Sequence, residues 1–230
     1  MKVCVTGAAG FIGSAFVRQL LSGAGSEVVA FDALTYAGNL ENLEECRADP
    51  NFSFVKGSVT DAAAVSAALE GCDAVVNFAA ESHVDRGIGQ PEPFISTNIG
   101  GAVVLAEAAA AAGLRMVQVS TDEVYGSIEA PARTDEQAPL RPSSTYAASK
   151  ATADMVVLAA FRRGLDLVIT RCGNNYGPRQ FPEKLVPLFI TNAFADQPLP
   201  LYGDGLNVRD WIHVDDHCRA IDLVLRRGRS

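Results

Sequence analysis

The chain has 230 residues, with 19 Lys and Arg against 27 Asp and Glu, a net charge of −8, and 48% hydrophobic residues. This hydrophobic content is enough to bury a core, so the composition excludes wholesale disorder. The acidic balance argues against a broad nucleic-acid surface, which needs clustered positive charge. Binding of an anionic small molecule is compatible with this negative net charge, because the N-terminus of a helix binds anions even in an acidic protein. The length suggests one large domain or one and a half.

Cysteine usage and hydropathy indicate the compartment in which the chain works. The five cysteines, at positions 4, 46, 72, 172 and 218, are irregularly spaced and form no CxxC pair. With only three histidines, this pattern predicts neither a disulfide framework nor a metal site. Residues 1–6 enter a β-like run without the features of a signal peptide. We also expect no apolar run near the roughly 18 residues of a membrane helix, and therefore predict a soluble cytoplasmic protein without membrane or nucleic-acid partners.

Short β-branched runs alternate with longer helical patterns, which is typical of a parallel α/β sheet. The predicted strands cover residues 2–6, 27–31, 52–56, 74–78, 116–120 and 167–171. The predicted helices cover residues 11–21, 62–69, 94–112, 146–163, 185–195 and 215–227. The strands are apolar on both faces, as expected when helices cover both sides of a sheet. We therefore predict an α/β fold with a Rossmann-like, doubly wound parallel sheet and a smaller C-terminal lobe.

A glycine-rich turn follows the first predicted strand and opens the first predicted helix. Gly7, Gly10 and Gly13 recur there at a spacing of three. Glycines let the backbone turn tightly and approach a pyrophosphate, which the N–H groups and positive dipole end of the helix then bind. The spacing is GxxGxxG, and a tight turn without a ligand is the alternative. The strand–turn–helix context favours a dinucleotide site.

Asp32 follows the second predicted strand, 19 residues after Gly13. A carboxylate at this place accepts hydrogen bonds from both adenosine ribose hydroxyls and repels a 2′-phosphate. No arginine follows it directly. The sequence therefore predicts NAD rather than NADP, with a capping or turn aspartate as the alternative.

Two further groups of polar side chains follow the fifth predicted strand. Tyr146 and Lys150, at i and i+4, lie on one face of a helix, where the lysine cation and an oxidised nicotinamide would lower the tyrosine pKa toward that of a general base. Thr121, Asp122 and Glu123 directly follow the strand, at the edge where open parallel sheets bind ligands. Paired carboxylates with separated pKa values act as acid and base, which a plain alcohol dehydrogenase does not need. Two solvated loop acids are the alternative.

Together these motifs resemble those of the extended short-chain dehydrogenase/reductases, and among them the nucleotide-sugar 4,6-dehydratases that act on dTDP-glucose. The resemblance covers nearly the whole chain. It is carried by residues 6–14, 31–39, 77–86, 120–126, 146–150, 171–178, 181–185 and 207–211. The Thr-Asp-Glu triplet separates the dehydratases from epimerases, and from decarboxylases whose triplet keeps only the Glu.

The resemblance implies an NAD-dependent lyase with a nucleotide-sugar, dTDP-glucose, as its substrate. Tyr146 would deprotonate the sugar 4-hydroxyl as NAD takes the C4 hydride, and Lys150 would hold the nicotinamide ribose. Glu123 would then remove the C5 proton while Asp122 protonates the departing 6-hydroxyl. Thr121 would bond the reacting oxygen. Return of the hydride to C6 makes the cycle redox-neutral.

The resemblance also implies which residues line the two subsites. The cofactor residues are Gly7, Gly10, Phe11, Ile12, Gly13, Asp32, Ala33, Leu34, Thr35, Gly38, Ser58, Val59, Ala79, Ala80, Ser82, Thr97, Tyr146, Lys150 and Asn175. The substrate residues are His83, Thr121, Asn174, Lys184, Leu185, Pro200, Leu201, Tyr202 and Arg209. A guanidinium suits a diphosphate bidentately, which supports Arg209. For His83, a packed or solvated histidine is the alternative.

The sequence departs from the family's pattern in two respects. Ser58 stands where the family usually has an Asp that binds the adenine amino group. Family members are also longer, so we expect residues 1–172 to form the NAD-binding Rossmann domain and residues 173–230 only part of the substrate-binding lobe. Small apolar residues on the helices predicted at 94–112 and 146–163, with the resemblance, imply a homodimer through a four-helix bundle.

Three other functions stay open on the sequence. They are a 4,6-dehydratase for another nucleotide, an epimerase or decarboxylase of the same family, and a non-catalytic NAD-binding interaction protein. Asp122 beside Glu123 argues against an epimerase or decarboxylase. A non-catalytic protein would be expected to lack Tyr146, Lys150 or the acid pair, and all four residues are present.

Overall fold

The computed structural model describes residues 1–23, 25–83, 87, 89–129 and 131–229. Within these residues, parallel strands form a six-stranded sheet in the order β3-β2-β1-β4-β5-β6. The strands are β1 (Lys2–Thr6), β2 (Glu27–Asp32), β3 (Phe52–Lys56), β4 (Ala74–Asn77), β5 (Arg115–Thr121) and β6 (Asp166–Cys172). The strand order reverses between β1 and β4, which opens a crevice at the carboxyl ends of the strands. The predicted doubly wound parallel sheet is confirmed.

Helices cover both faces of this sheet, as the two-sided apolar strands require. On one face, α1 (Phe11–Ser22) packs against the last helix, α6 (Val214–Arg227). On the other face lie α2 (Ala62–Leu69), α3 (Gly101–Ala112) and α4 (Thr145–Phe161). A further helix, α5 (Leu185–Phe194), has no fully buried residue. Because α6 contacts β5 and β6, the C-terminal residues return to the sheet rather than forming a separate body. The predicted division at residue 172 stays a prediction.

The predicted helix over residues 94–112 has two parts, a π-helical stretch Phe94–Gly100 and then α3. The wide turns of a π-helix are rare in proteins, and those that occur often lie at functional sites. Here the stretch presents the buried Asn98, whose side-chain amide donates to the Glu81 carbonyl at 3.0 Å and to Ser149 Oγ at 2.8 Å. The Asn98 Oδ1 accepts from the Glu81 N–H at 2.8 Å. Asn98 therefore ties the segment after β4 to α4.

The same segment corrects one expectation. Phe94–Ala112 is 19 residues long with a mean hydropathy of 1.4, so by length and composition it is able to cross a membrane, and the expectation that no such run exists was wrong. Its buried residues Ala102, Leu105 and Ala109 belong to the core shared with α2 and α4. A core helix passes the same test, so the segment alone does not indicate a membrane span.

Four short elements were not predicted. Two are 3-10 helices, Leu40–Cys46 and Asp122–Tyr125, and two are the strands β7 (Asn174–Tyr176) and β8 (Trp211–His213), which pair in parallel. Elements of three to seven residues are too short to develop a hydrophobic period, which explains the omission. Together, β7 and β8 extend the structure beyond the carboxyl end of β6.

Candidate active site

A cavity of about 810 Å³ opens at the carboxyl ends of the strands. Its lining includes a residue at or just beyond the end of each of five strands, namely Gly7, Asp32, Phe78, Thr121 and Cys172. The volume lies within the range of small-molecule and cofactor sites. The position is the one that open parallel sheets use for ligands.

The glycine turn between β1 and α1 forms one wall of this cavity. Gly7 has a φ of +65°, in the left-handed region that disfavours a side chain. A Cβ on Gly7 would lie 2.7 Å from the Ala79 nitrogen, and one on Gly13 would collide with the Gly7 carbonyl oxygen. The first turn of α1 has no side-chain cap, so its N–H groups stay available to a ligand. The turn therefore fits a pyrophosphate.

Asp32 ends β2 and is 7% exposed at the cavity wall. Its Oδ2 accepts from the Ala9 N–H at 2.9 Å, and its Oδ1 accepts from the Leu34 N–H at 2.7 Å. Burial raises the pKa of this carboxyl, and the two backbone hydrogen bonds lower it. Each carboxylate oxygen retains a further lone pair, so the group is able to accept from two ribose hydroxyls.

The turn after β5 holds the acid pair. The Thr121 hydroxyl accepts from the Glu123 N–H at 3.2 Å and donates to Asp122 Oδ1 at 3.3 Å. Burial raises the pKa of Asp122, and the hydrogen bond from Thr121 lowers it. Burial also raises the pKa of Glu123, and the charge of Asp122 adds to the rise. Both carboxyls therefore hold a proton more readily than a solvated acid, as proton donors and acceptors near neutral pH require.

Lys150 lies on α4 and is 4% exposed, with its Nζ donating to the Val119 carbonyl at 2.7 Å. Burial lowers the pKa of this ammonium, and the charge of Asp154 opposes that change. Lysines buried in this way need a compensating charge to stay protonated. The position of Lys150 at the cavity wall fits the predicted contact with a ribose.

In the protein without a bound cofactor, the pKa of Tyr146 lies above its ordinary value. Burial raises it, and the charge of Glu123 raises it further, while the Thr121 hydroxyl lowers it. The Lys150 ammonium donates to the Val119 carbonyl at 2.7 Å. The lowering of the Tyr146 pKa by Lys150 together with an oxidised nicotinamide stays a prediction. In the protein alone the phenol therefore keeps its proton well into the alkaline range.

The cavity brings together most of the residues that the sequence predicted. All five predicted catalytic residues line it, and so do the predicted cofactor residues apart from Leu34. Among the predicted substrate residues, Thr121, Asn174 and Lys184 line it. Leu34 adopts a left-handed φ of 55°, and its backbone N–H donates to Asp32 Oδ1.

The remaining predicted substrate residues lie outside the cavity lining. His83 pairs with Glu183, which does line it, at 3.2 Å. Leu185 is the half-exposed first residue of α5. Four others are exposed and lie between α5 and β8, namely Pro200, Leu201, Tyr202 and Arg209. Residues 84–86 of the motif after β4, and Ser230, lie outside the described residues.

A segment that was not predicted to contact the cofactor, residues 179–183, forms another wall of the cavity. Arg179 donates to the Asn42 carbonyl at 2.6 Å and pairs with Glu45, both in the 3-10 helix Leu40–Cys46. Phe181 packs edge-on against Tyr36, with ring centroids 5.7 Å apart. Residues 181–185 carry part of the family resemblance, which assigned substrate contacts only to Lys184 and Leu185. The Gly177-Pro178 turn marks a change of direction without giving the new one.

Comparison with known proteins places the chain in a family. Residues 3–230 match the NAD dependent epimerase/dehydratase family, and the chain belongs to it. It is 52% identical over 237 residues to a dTDP-glucose 4,6-dehydratase of Streptomyces niveus, which covers 100% of this chain and 70% of that protein. It is also 52% identical over 231 residues to the low-salt glycan biosynthesis protein Agl12 of Haloferax volcanii, covering 99% of this chain and 74% of that one.

Solved structures show the same likeness. The dTDP-glucose 4,6-dehydratase DesIV from Streptomyces venezuelae, crystallised with NAD, superimposes with a TM-score of 0.97 at 56% identity, over 100% of this chain and 73% of that one. A UDP-glucuronic acid 4-epimerase from Bacillus cereus with NAD reaches 0.94 at only 28% identity, over 100% and 74%. The fold is thus common to both enzymes, whereas the sequence lies much nearer to the dehydratase.

Proposed function

We propose that the chain works as an NAD-dependent dTDP-glucose 4,6-dehydratase, which converts dTDP-glucose to dTDP-4-keto-6-deoxyglucose and water. The observation that carries this proposal is the presence of the Thr121–Asp122–Glu123 turn and the Tyr146–Lys150 pair on one cavity. An epimerase needs only the redox pair, whereas loss of water needs an acid and a base as well. The identity with named dehydratases supports the same assignment.

The side chains divide the reaction among them. When bound, NAD would supply the chemistry of taking a hydride from sugar C4 and returning it at C6. Tyr146 accepts the proton of the 4-hydroxyl, with Thr121 bonding the same oxygen. Glu123 removes the C5 proton, which the adjacent ketone makes acidic, and Asp122 donates a proton to the departing 6-hydroxyl. The raised pKa of Asp122 suits this role, since it favours the protonated form.

The chain's own groups would hold the cofactor along its length. The glycine turn would bind the pyrophosphate, Asp32 the adenosine ribose and Lys150 the nicotinamide ribose. Ser58 lines the cavity near the carboxyl end of β3, with its hydroxyl 2.8 Å from Thr60 Oγ1. Adenine would therefore meet a hydroxyl at this place rather than a carboxylate.

Asp32→Ala should weaken NAD binding and narrow the preference for NAD over NADP. The substitution removes the acceptor for the ribose hydroxyls and the negative charge that repels a 2′-phosphate. Titration calorimetry with each cofactor measures both effects, with Asp61→Ala, a helix-capping carboxylate outside the cavity lining, as the control. Tighter binding of NADP than NAD by the unaltered chain would contradict the assignment.

The function is tested by incubating the chain with dTDP-glucose and NAD and following the 4-keto product. Substrate binding is measured in parallel, so that failure to bind is separated from failure to react. A product epimerised at C4 with its 6-hydroxyl intact would identify an epimerase instead. Binding of NAD and dTDP-glucose without any change in the sugar would favour the non-catalytic alternative.

We also propose that two chains form a homodimer through the π-helical stretch, α3 and α4. These elements expose large apolar side chains, with Ile95 and Met155 each 55% exposed and Val103 and Leu158 each 40% exposed. A monomer rarely leaves so many apolar side chains exposed on adjacent helices.

We further propose that residues 1–172 hold the cofactor and that residues 173–230 contribute to the substrate lobe. We also propose that the protein is cytoplasmic, where its free cysteines would stay reduced.

Light scattering should give about twice the 24.3 kDa of one chain. Leu158→Glu should convert the dimer to monomer, because a buried, unpaired carboxylate opposes association. Leu223→Glu on α6 is the matched control, since Leu223 is 56% exposed on a different face. A monomeric mass for the unaltered chain would refute the dimer.

A further inference from the structure

Arg171 is a largely buried cation on β6 to which the proposed mechanism gives no role. Its side chain is 14% exposed, and its Nε donates at 3.0 Å to Oδ2 of Asp154, a fully buried carboxylate on α4. Burial of an ion pair is costly unless its geometry is good and further hydrogen bonds satisfy it. An apolar pair of similar volume would fill the same space, so these charges need another reason to be present.

The other nitrogens of this guanidinium reach the turn that carries the acid pair. Arg171 Nη1 donates to the Tyr125 hydroxyl at 2.7 Å and to the Glu136 carbonyl at 3.3 Å, and the guanidinium carbon lies 5.1 Å from the centroid of the Tyr125 ring. Tyr125 is the last residue of the 3-10 helix that begins with the acid pair. One planar group, with its donors in a fixed fork, therefore joins this 3-10 helix to α4.

The acid pair is held differently at its two ends. Thr121, which precedes it, pairs with β6 in the sheet, so the strand ladder fixes its position. Tyr125, which ends the 3-10 helix, packs with Ala151 of α4 in a small apolar cluster, and its hydroxyl accepts from Arg171. The backbone carbonyl before Tyr125 also accepts from the Arg141 N–H at 2.9 Å. Among these contacts, the hydrogen bond from Arg171 is the one that a single hydroxyl controls.

We propose that Arg171 is a positioning residue which, anchored by Asp154, acts through the Tyr125 hydroxyl to hold the acid pair in place for the loss of water. The inference rests on the proposed function, because it requires the acid pair to carry the elimination. Neither Arg171 nor Tyr125 lines the cavity, so both act through the residues that do. Tyr146, the base of the oxidation step, lies on α4 and does not bond to the Tyr125 hydroxyl.

Tyr125→Phe removes the hydroxyl while it keeps the ring and the pair between Arg171 and Asp154. Small misplacements of a reacting group cost up to about 10²-fold in rate, so we expect loss of water to slow at least about tenfold. Oxidation at C4 should keep its rate, so the reduced cofactor should accumulate in a single turnover with dTDP-glucose. Arg171→Gln should give the same pattern. A merely structural role would slow both steps together or weaken NAD binding, without accumulation.

Hydrogen exchange of residues 121–126, followed by mass spectrometry without cofactor or substrate, measures the order of the turn independently of activity. Both substitutions should speed exchange there by about tenfold, since each removes a hydrogen bond from a charged donor. Tyr176→Phe is the matched control for the tyrosine, because Tyr176 lies on β7 outside the cavity lining. Arg115→Gln is the control for the arginine, because Arg115 also bonds a carboxylate and a carbonyl, but at the opposite end of β5. Both controls should match the unaltered chain in the exchange of residues 121–126 and in the absorbance.

The two measurements separate the possible results. Unchanged exchange in Tyr125→Phe would overturn the inference, and so would faster exchange without accumulation of the reduced cofactor. Both results leave the proposed function intact. If Arg171→Gln does not fold, because Asp154 is left without its partner, Tyr125→Phe decides alone. If the unaltered chain binds NAD and dTDP-glucose but forms neither reduced cofactor nor product, the proposed function is refuted, and the inference with it.

Discussion

Tyr146→Phe is expected to abolish both reduction of the bound cofactor and formation of the 4-keto product. The phenol is the group placed to take the proton of the sugar 4-hydroxyl, and phenylalanine keeps the ring while removing the acid–base atom. General acid–base catalysis contributes on the order of 10²–10⁴ in rate, so a loss at least this large is expected. In the protein alone, burial and Glu123 raise the pKa of Tyr146. The phenolate that accepts this proton therefore requires Lys150 and the oxidised nicotinamide to lower that pKa when the cofactor is bound.

Single-turnover absorbance of the reduced nicotinamide measures this effect. Tyr176→Phe is the matched control, since Tyr176 lies on β7, contacts His213 edge-on and does not line the cavity. It should leave the rate unchanged. If Tyr146→Phe still binds NAD and dTDP-glucose, the lost rate belongs to the chemical step and not to binding. A normal rate of reduction in this variant would remove Tyr146 from the mechanism.

Asp122→Asn should separate the two halves of the reaction. The amide keeps the shape of the side chain but has no acidic proton for the departing 6-hydroxyl. Oxidation at C4 should continue while loss of water slows by about 10²–10⁴-fold, so the reduced cofactor accumulates on the protein. Because burial raises the pKa of Asp122, elimination by the unaltered chain should also slow as rising pH removes its proton.

Glu123→Gln distinguishes the base from the acid. It should block exchange of the C5 proton with solvent, whereas Asp122→Asn should leave that exchange intact. Deuterium incorporation at C5, read beside the absorbance of the reduced cofactor, measures the difference. If Asp122→Asn forms product at the normal rate, the acid belongs to another group. If Glu123→Gln exchanges the C5 proton at the normal rate, the base is another group.

The sheet and the turn at its centre were predictable because local physics decides them. Continuous apolar runs such as residues 74–76 of β4 need helices on both faces, and Gly7 and Gly13 stand where a Cβ does not fit. The strand ends then bring Asp32 and Thr121 to one edge regardless of their separation along the chain. The cavity lining therefore followed from the order of elements and from the family resemblance.

Features that depend on tertiary contacts were not predictable in this way. The π-helical stretch around Asn98 looks like ordinary helix in the sequence, because its polar contacts come from Glu81 and Ser149. The rise in the Tyr146 pKa comes from burial and from the carboxylate of Glu123, in the 3-10 helix that follows β5. Spacing along one helix gives neither of these, so the i and i+4 pattern predicted that Tyr146 lies near Lys150 but not this rise in the pKa of Tyr146.

The wall formed by residues 179–183 bears on how the protein uses its cofactor. Arg179 ties this wall to Asn42 and Glu45, and Phe181 packs against Tyr36, so we expect these contacts to slow release of a dinucleotide. In a cycle that returns the cofactor to its starting oxidation state, no turnover requires that release. We therefore expect NAD to stay bound between turnovers, as a prosthetic group rather than a co-substrate. Turnover would then be independent of the surrounding ratio of oxidised to reduced dinucleotide.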